Sequence, residues 1–210
     1  MFDLIAFDID GTLVDSAEEI AATVNDVLQF QGLPGLPTAT IRNWIGLGAQ
    51  AALTEAFTRC ASLTESAVHR EHAADPRFLD SMMVLFEKFH GERCGTHSRL
   101  FPQVNVTLAR LRTAGVKLAV VTNKEERLAR QVLDAHDLAN FFDPIVGGDT
   151  LPTRKPDPGP MLHCLEFHGV AAARALMVGD SEFDVRMARA AGVKCWVVPY
   201  GAVRPARNKT

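Results

Sequence analysis

This 210-residue sequence predicts an α/β fold: a Rossmann-like, mainly parallel sheet with helices on both faces, and a helical insert after the first strand. Three observations lead there. Apolar runs without alternation, such as Leu4-Ile5-Ala6-Phe7 and Ala175-Leu176-Met177-Val178, read as strands buried on both faces. Stretches of helical periodicity separate the later runs. Between Thr38 and His90 no clear strand intervenes, so this long stretch reads as a separate helical unit. The expected division is therefore an α/β core at 1–15 and 96–210, and a helical domain at 16–95.

The first strand, Leu4 to Phe7, breaks at once into Asp8, Asp10 and Gly11. Asp15 or Ser16 suits the N-cap of the next helix, with Glu18 and Glu19 near its positive end. Ile20, Val24, Val27 and Leu28 give that helix its apolar face, and Gly32 to Pro37 ends it. In the insert, Ile41, Trp44 and Ile45 lead into Gly46-Leu47-Gly48. Leu53, Ala56, Phe57 and Val68 follow, then Phe78, Met82, Leu85, Phe86 and Phe89 after a helix start at Asp75-Pro76. Beyond Phe101-Pro102 the pattern changes to helix (Val106, Leu108, Leu111), strand (Val116 to Val121) and helix (Glu125 to His136). A short strand near Ile145, a Gly/Pro-rich loop from Gly147 to Pro160 and a helix from Met161 to His168 come next. A strand at 175–178, a helix at 182–191 and a last strand at 193–198 complete the order.

Composition narrows the function classes. A net charge of −3, with basic residues scattered, argues against a nucleic-acid surface. The small basic group at Arg204, Arg207 and Lys209 reads as a solvated tail. Acidic residues at the N-terminus and the absence of a long apolar run predict a soluble, cytoplasmic protein without a membrane segment. Cys60, Cys94, Cys164 and Cys195 lie far apart, without metal-site spacing, and read as buried free thiols.

Ligands of such sheets gather beyond the carboxyl ends of the strands. Asp8 and Asp10, Thr122 and Asn123, and Asp180 and Asp184 all fall there, with Lys155 in the Gly/Pro-rich loop between them. A carboxylate buried at a strand end carries a desolvation cost that calls for a cation or a specific partner. Hard oxygen ligands without clustered His or Cys favour magnesium over zinc. Thr122 can offer its hydroxyl and nearby N–H groups to a phosphoryl oxygen, and it equally suits an N-cap for the helix from Glu125. Lys155 can neutralise the aspartates and hold phosphate through charged hydrogen bonds.

Four segments carry a close resemblance to the haloacid dehalogenase superfamily: Asp8-Ile9-Asp10-Gly11-Thr12-Leu13, Val121-Thr122-Asn123-Lys124, Lys155-Pro156-Asp157-Pro158 and Val178-Gly179-Asp180-Ser181-Glu182-Phe183-Asp184. They occur in the family's order. Ile41 to Gly48, Leu100-Phe101-Pro102 and Gly147 to Pro152 resemble its phosphoglycolate phosphatase-like branch. After Pro199-Tyr200-Gly201 the chain departs from the branch's glycine- and tyrosine-rich continuation. The resemblance implies that Asp8 is a nucleophile forming an aspartyl-phosphate, and that Asp10 is the acid and then the base. It implies magnesium at Asp8, the Asp10 carbonyl and Asp180, with Asp184 binding directly or through water. Thr122, Asn123 and Lys155 would bind the phosphoryl group, and the helical insert would be a cap that chooses the substrate. Arg42 in that cap is a candidate contact for a substrate carboxylate, although its spacing also suits an exposed helical arginine. Cys94 to Leu100 and the stretch after Ser16 are candidate hinges.

Dehalogenases of the superfamily lack the acid at the position of Asp10, so its presence points to phosphoryl chemistry. The implied activity is a magnesium-dependent phosphatase, first of all of 2-phosphoglycolate. Sugar phosphates, nucleotides and pyrophosphate are alternative substrates, and a β-phosphoglucomutase-like transfer is a further reading. The non-enzymatic alternative is a silent binding protein of the same fold, against which both Asp8 and Asp10 stand. The expected partner is a small phosphorylated metabolite, with no nucleic acid or membrane, for a monomer or homodimer.

Overall fold

The structure is a computed structural model that describes residues 1–64 and 75–200. Val68 and the basic group at Arg204, Arg207 and Lys209 therefore lie outside the described residues. The chain divides into two compact units, Met1–Asp15 with Arg99–Thr210, and Ser16–Ser98.

The first unit is built on a five-stranded sheet of β1 (Leu4–Phe7), β4 (Lys117–Val121), β5 (Ile145–Val146), β6 (Ala175–Gly179) and β7 (Lys194–Val197). Their order is β5-β4-β1-β6-β7, and every pairing is parallel. β1 is central: Phe7 stands level with Val120 of β4 and Val178 of β6. One residue further along each strand come Asp8, Val121 and Gly179, so Thr122 and Asp180 follow beside Asp8. This register is what gathers motifs more than a hundred residues apart.

Alternation along the strands separates the two faces of the sheet. Leu4 and Ala6 join Met177 and Ala119 on one face, under Met161 and Cys164 of α7 (Gly159–His168) and Met187 of α8 (Glu182–Ala190). Ile5 and Phe7 point to the other face, toward α5 (Val104–Thr113). There a cavity of about 390 Å³ remains between Leu108, Leu176, Val178, Trp196 and Val198. α6 (Glu126–Ala135) buries Leu128, Ala129, Val132 and Leu133. A two-stranded antiparallel ribbon, β2 (Val14–Asp15) with β3 (Arg99–Leu100), joins the unit's two chain segments.

The second unit is helical. Its core packs Val24, Val27 and Leu28 of α1 (Ala17–Phe30) with Leu53 and Phe57 of α3 (Ala49–Thr64) and Met82 and Phe86 of α4 (Pro76–Arg93). α2 (Thr38–Ile41) and a 3₁₀ segment, Arg42–Leu47, fill the connection. Asp75 caps α4 by accepting from the Arg77 N–H at 2.9 Å, with Pro76 at the first helical position. Ser16 stands at the N-cap of α1 but forms no side-chain capping bond. The second crossing between units falls at 98/99, three residues after the expected 95/96. The reason is Glu19: its buried carboxylate accepts N–H bonds from Gly95, His97 and Ser98, at 3.1, 2.5 and 2.8 Å. Among the described residues no helix is long and apolar enough to cross a membrane.

Candidate active site

Asp8 leaves β1 with its N–H on the Val178 carbonyl at 2.9 Å, and the residue is only 4% exposed. The loop behind it is wound on one atom. The Ile9 carbonyl accepts from the N–H groups of Thr12, Leu13 and Val14, at 3.1, 2.9 and 3.0 Å. Gly11 closes the turn with φ +81°, and a Cβ there would lie 2.3 Å from the Asp180 carboxylate. The glycine thus serves both the turn and the approach of β6.

Asp8, Asp180 and Asp184 offer carboxylate oxygens that all lie within 4.8 Å of one another, and all three residues are buried. Gly179 allows this closeness, since a Cβ on it would meet the Asp184 carboxyl carbon at 2.3 Å. Asp184 closes a capping box at the start of α8: its Oδ2 accepts from the Ser181 N–H at 2.9 Å and from the Ser181 hydroxyl at 2.6 Å. Its other oxygen takes Lys155 Nζ at 2.8 Å. The same ammonium reaches Asp8 Oδ2 at 2.9 Å.

The charges act strongly on one another because the groups are buried. Burial pushes Asp8 up to about 7; Lys155 opposes the rise, and the Asp184 and Asp180 carboxylates add to it. Burial works against the charge of Lys155 as well, but Asp184 and Asp8 outweigh it and raise the lysine above its ordinary value. Lys155 bridges Asp8 and Asp184, and Asp180 brings a third buried carboxylate to the same cluster. A hard divalent cation with oxygen ligands, such as magnesium, fits that donor set.

Thr122 is buried at the end of β4, with its N–H on the Val146 carbonyl at 3.0 Å. It does not cap the following helix. Glu125 holds that position, and the Thr122 hydroxyl accepts from the Lys124 N–H at 3.2 Å, which tightens the turn. Asn123 donates to the Lys155 carbonyl at 3.2 Å, and its buried Oδ1 has no hydrogen-bond partner among the described residues. Asp10 lies apart from the three-carboxylate cluster. Both of its side-chain oxygens accept from Lys124 Nζ, at 3.1 and 3.3 Å. Lys124 joins the candidate site through this ion pair, which sequence reasoning misses; its place beside Thr122-Asn123 is the available signal. Arg42 belongs to the helical unit, where it is exposed at the start of the 3₁₀ segment.

A family model described as haloacid dehalogenase-like hydrolase matches residues 5–198. Phosphoglycolate phosphatase of Pseudomonas putida is 39% identical over 201 residues, covering 94% of this chain and 70% of the relative. That of Vibrio cholerae is 35% identical over 198 residues, covering 94% and 84%. A crystal structure described as a predicted phosphoglycolate phosphatase from Haemophilus somnus superposes with a TM-score of 0.87 at 33% identity. It covers 95% of this chain and 86% of its own.

Proposed function

The chain belongs to the haloacid dehalogenase-like hydrolase family as one of its phosphatases, and we propose that it hydrolyses phosphomonoesters with magnesium through an aspartyl-phosphate on Asp8. One observation carries the mechanism. A buried carboxylate beside Asp180, Asp184 and Lys155 is followed, two residues on, by a second carboxylate outside that cluster. The first suits nucleophilic attack and the second suits proton transfer.

An Asp8 oxygen attacks phosphorus as the bond to the leaving oxygen breaks, and Asp10 passes its proton to that oxygen. Water then attacks the phosphorus of the aspartyl-phosphate, Asp10 takes the water proton, and Asp8 is released with inorganic phosphate. Thr122, Asn123 and Lys155 hold the phosphoryl oxygens during both displacements. Asp8, the Asp10 carbonyl, Asp180 and Asp184 would hold magnesium, which supplies positive charge against the carboxylates and phosphoryl oxygens when bound.

The proposed substrate is 2-phosphoglycolate, giving glycolate and phosphate. The relatives named phosphoglycolate phosphatase support that choice, with Arg42 of the proposed cap as the contact for the substrate carboxylate. The proposed setting is the cytoplasm, where thiols such as those of the four cysteines stay reduced. The test is phosphate release from phosphoglycolate, sugar phosphates, nucleotides and pyrophosphate, with magnesium and with chelator. Phosphoglycolate is expected to rank first in kcat/KM, and chelator to abolish release. A far higher kcat/KM for another member would overturn the substrate and leave the phosphatase standing.

A further inference from the structure

Two buried lysines divide the acidic residues of the site. Lys155 takes Asp8 and Asp184. Lys124 takes Asp10 through both carboxylate oxygens, and the two side chains are only 5% and 12% exposed. An ammonium is seldom buried this far without a dedicated task for its charge.

The backbone that carries Lys124 is fixed on both sides. Its N–H donates to the Thr122 hydroxyl at 3.2 Å, and its carbonyl accepts from the Gly148 N–H at 2.8 Å. Gly148 approaches so closely that a Cβ on it would sit 2.4 Å from the Asn123 carbonyl oxygen. The turn after β4 therefore has little room to move, and Lys124 reaches Asp10 from a rigid base. Asp10 stands in the loop that also carries Asp8, so its carboxyl plane must be set relative to the bond that Asp8 breaks. A two-point contact with one ammonium sets such a plane, which a single bond leaves free to rotate.

We propose that Lys124 is the positioning residue for Asp10, holding its carboxyl in the orientation that delivers a proton to the leaving oxygen. The inference rests on the proposed phosphatase mechanism and assigns Lys124 no contact with the phosphoryl group. Its consequence depends on the leaving group. An alkyl phosphate expels an alkoxide that must be protonated as the P–O bond breaks. p-Nitrophenyl phosphate expels a stable phenolate and needs no such proton. Since kcat/KM reports the step up to departure of the leaving group, the two substrates separate proton delivery from everything else.

The experiment compares wild type, Lys124→Met, Lys124→Arg and Asp10→Asn on the best alkyl phosphate and on p-nitrophenyl phosphate. Lys124→Met is expected to lose about 10²-fold in kcat/KM on the alkyl phosphate, the scale of general acid catalysis, and less than about threefold on the aryl ester. Lys124→Arg should recover most of the loss. Adding Lys124→Met to Asp10→Asn should cost almost nothing more, because a residue that acts through Asp10 has nothing further to lose. Equal losses on both substrates, no loss on either, or full additivity with Asp10→Asn would overturn the assignment. Should Lys124→Met not fold, Lys124→Gln provides the same comparison. Failure of wild type to release phosphate from any ester would instead refute the phosphatase mechanism, so the two failures are distinguishable.

Discussion

Between about pH 4 and 7 the native Asp8 carboxyl keeps a proton that the unfolded chain has already released. Burial first, and the neighbouring Asp184 and Asp180 charges next, hold it at about 7 against an ordinary 3.8, with Lys155 opposing. A native group that binds the extra proton makes stability fall as pH rises through that window. Lys155, whose pKa is raised, contributes evenly there, since its loss begins only above the ordinary lysine range. Asp8→Asn copies the neutral form. In chelator it should match wild-type stability at pH 5 and exceed its Tm at pH 8 by at least about 3 °C, the shift that roughly 1 kcal/mol produces in a chain of this size. Magnesium should narrow the gap at pH 8 by stabilising wild type. A gap that is the same at both pH values, measured by thermal unfolding, would contradict this origin of the charge stress. At this scale the sequence makes Asp8, Thr122 and Asp180 legible because each ends an apolar run. It does not disclose that Lys155 bridges Asp8 and Asp184 while Lys124 takes Asp10. Both lysines sit in polar loop sequence, where a lysine ordinarily faces water.

Among the elements, α1 shows how one side chain can serve two purposes. Glu19 lies in the first turn, where its charge suits the helix dipole, and its carboxylate also collects three N–H groups from Gly95 to Ser98. Periodicity reveals only the first use, because the second depends on a segment more than seventy residues away. Glu19→Ala should destabilise the protein by about 2–4 kcal/mol, the cost of losing charged hydrogen bonds and stranding their donors. Glu19→Gln should fall between. Urea unfolding checks the loss, and faster amide exchange at Gly95, His97 and Ser98 locates it; a change below about 0.5 kcal/mol would refute the clasp. The ribbon of β2 and β3 escapes sequence reading for a different reason. Two residues on each strand are too few to show alternation.

For the whole molecule, the order of strands in the sheet matters more than their order in the chain. β1 is first in sequence and central in space, with β4 and β6 on either side. The helical unit enters and leaves beside the β2–β3 ribbon, so an insertion of 83 residues, Ser16–Ser98, leaves the sheet uninterrupted. The sequence discloses that layout through the gap between its first two strands. It does not disclose the cavity beside Trp196, because burial on one face of a strand looks the same whether or not the other face is filled. The proposed mechanism makes Asp8 the nucleophile of a covalent intermediate. Acid quenching of wild type during turnover of its best substrate, labelled in the phosphate, followed by peptide mapping, is the most direct test. The label should reside on Asp8 as an acid-stable, hydroxylamine-labile acyl phosphate, and Asp8→Asn should carry none while phosphate release falls roughly a thousandfold or more. Undiminished turnover in Asp8→Asn, or label on another residue, would contradict the account.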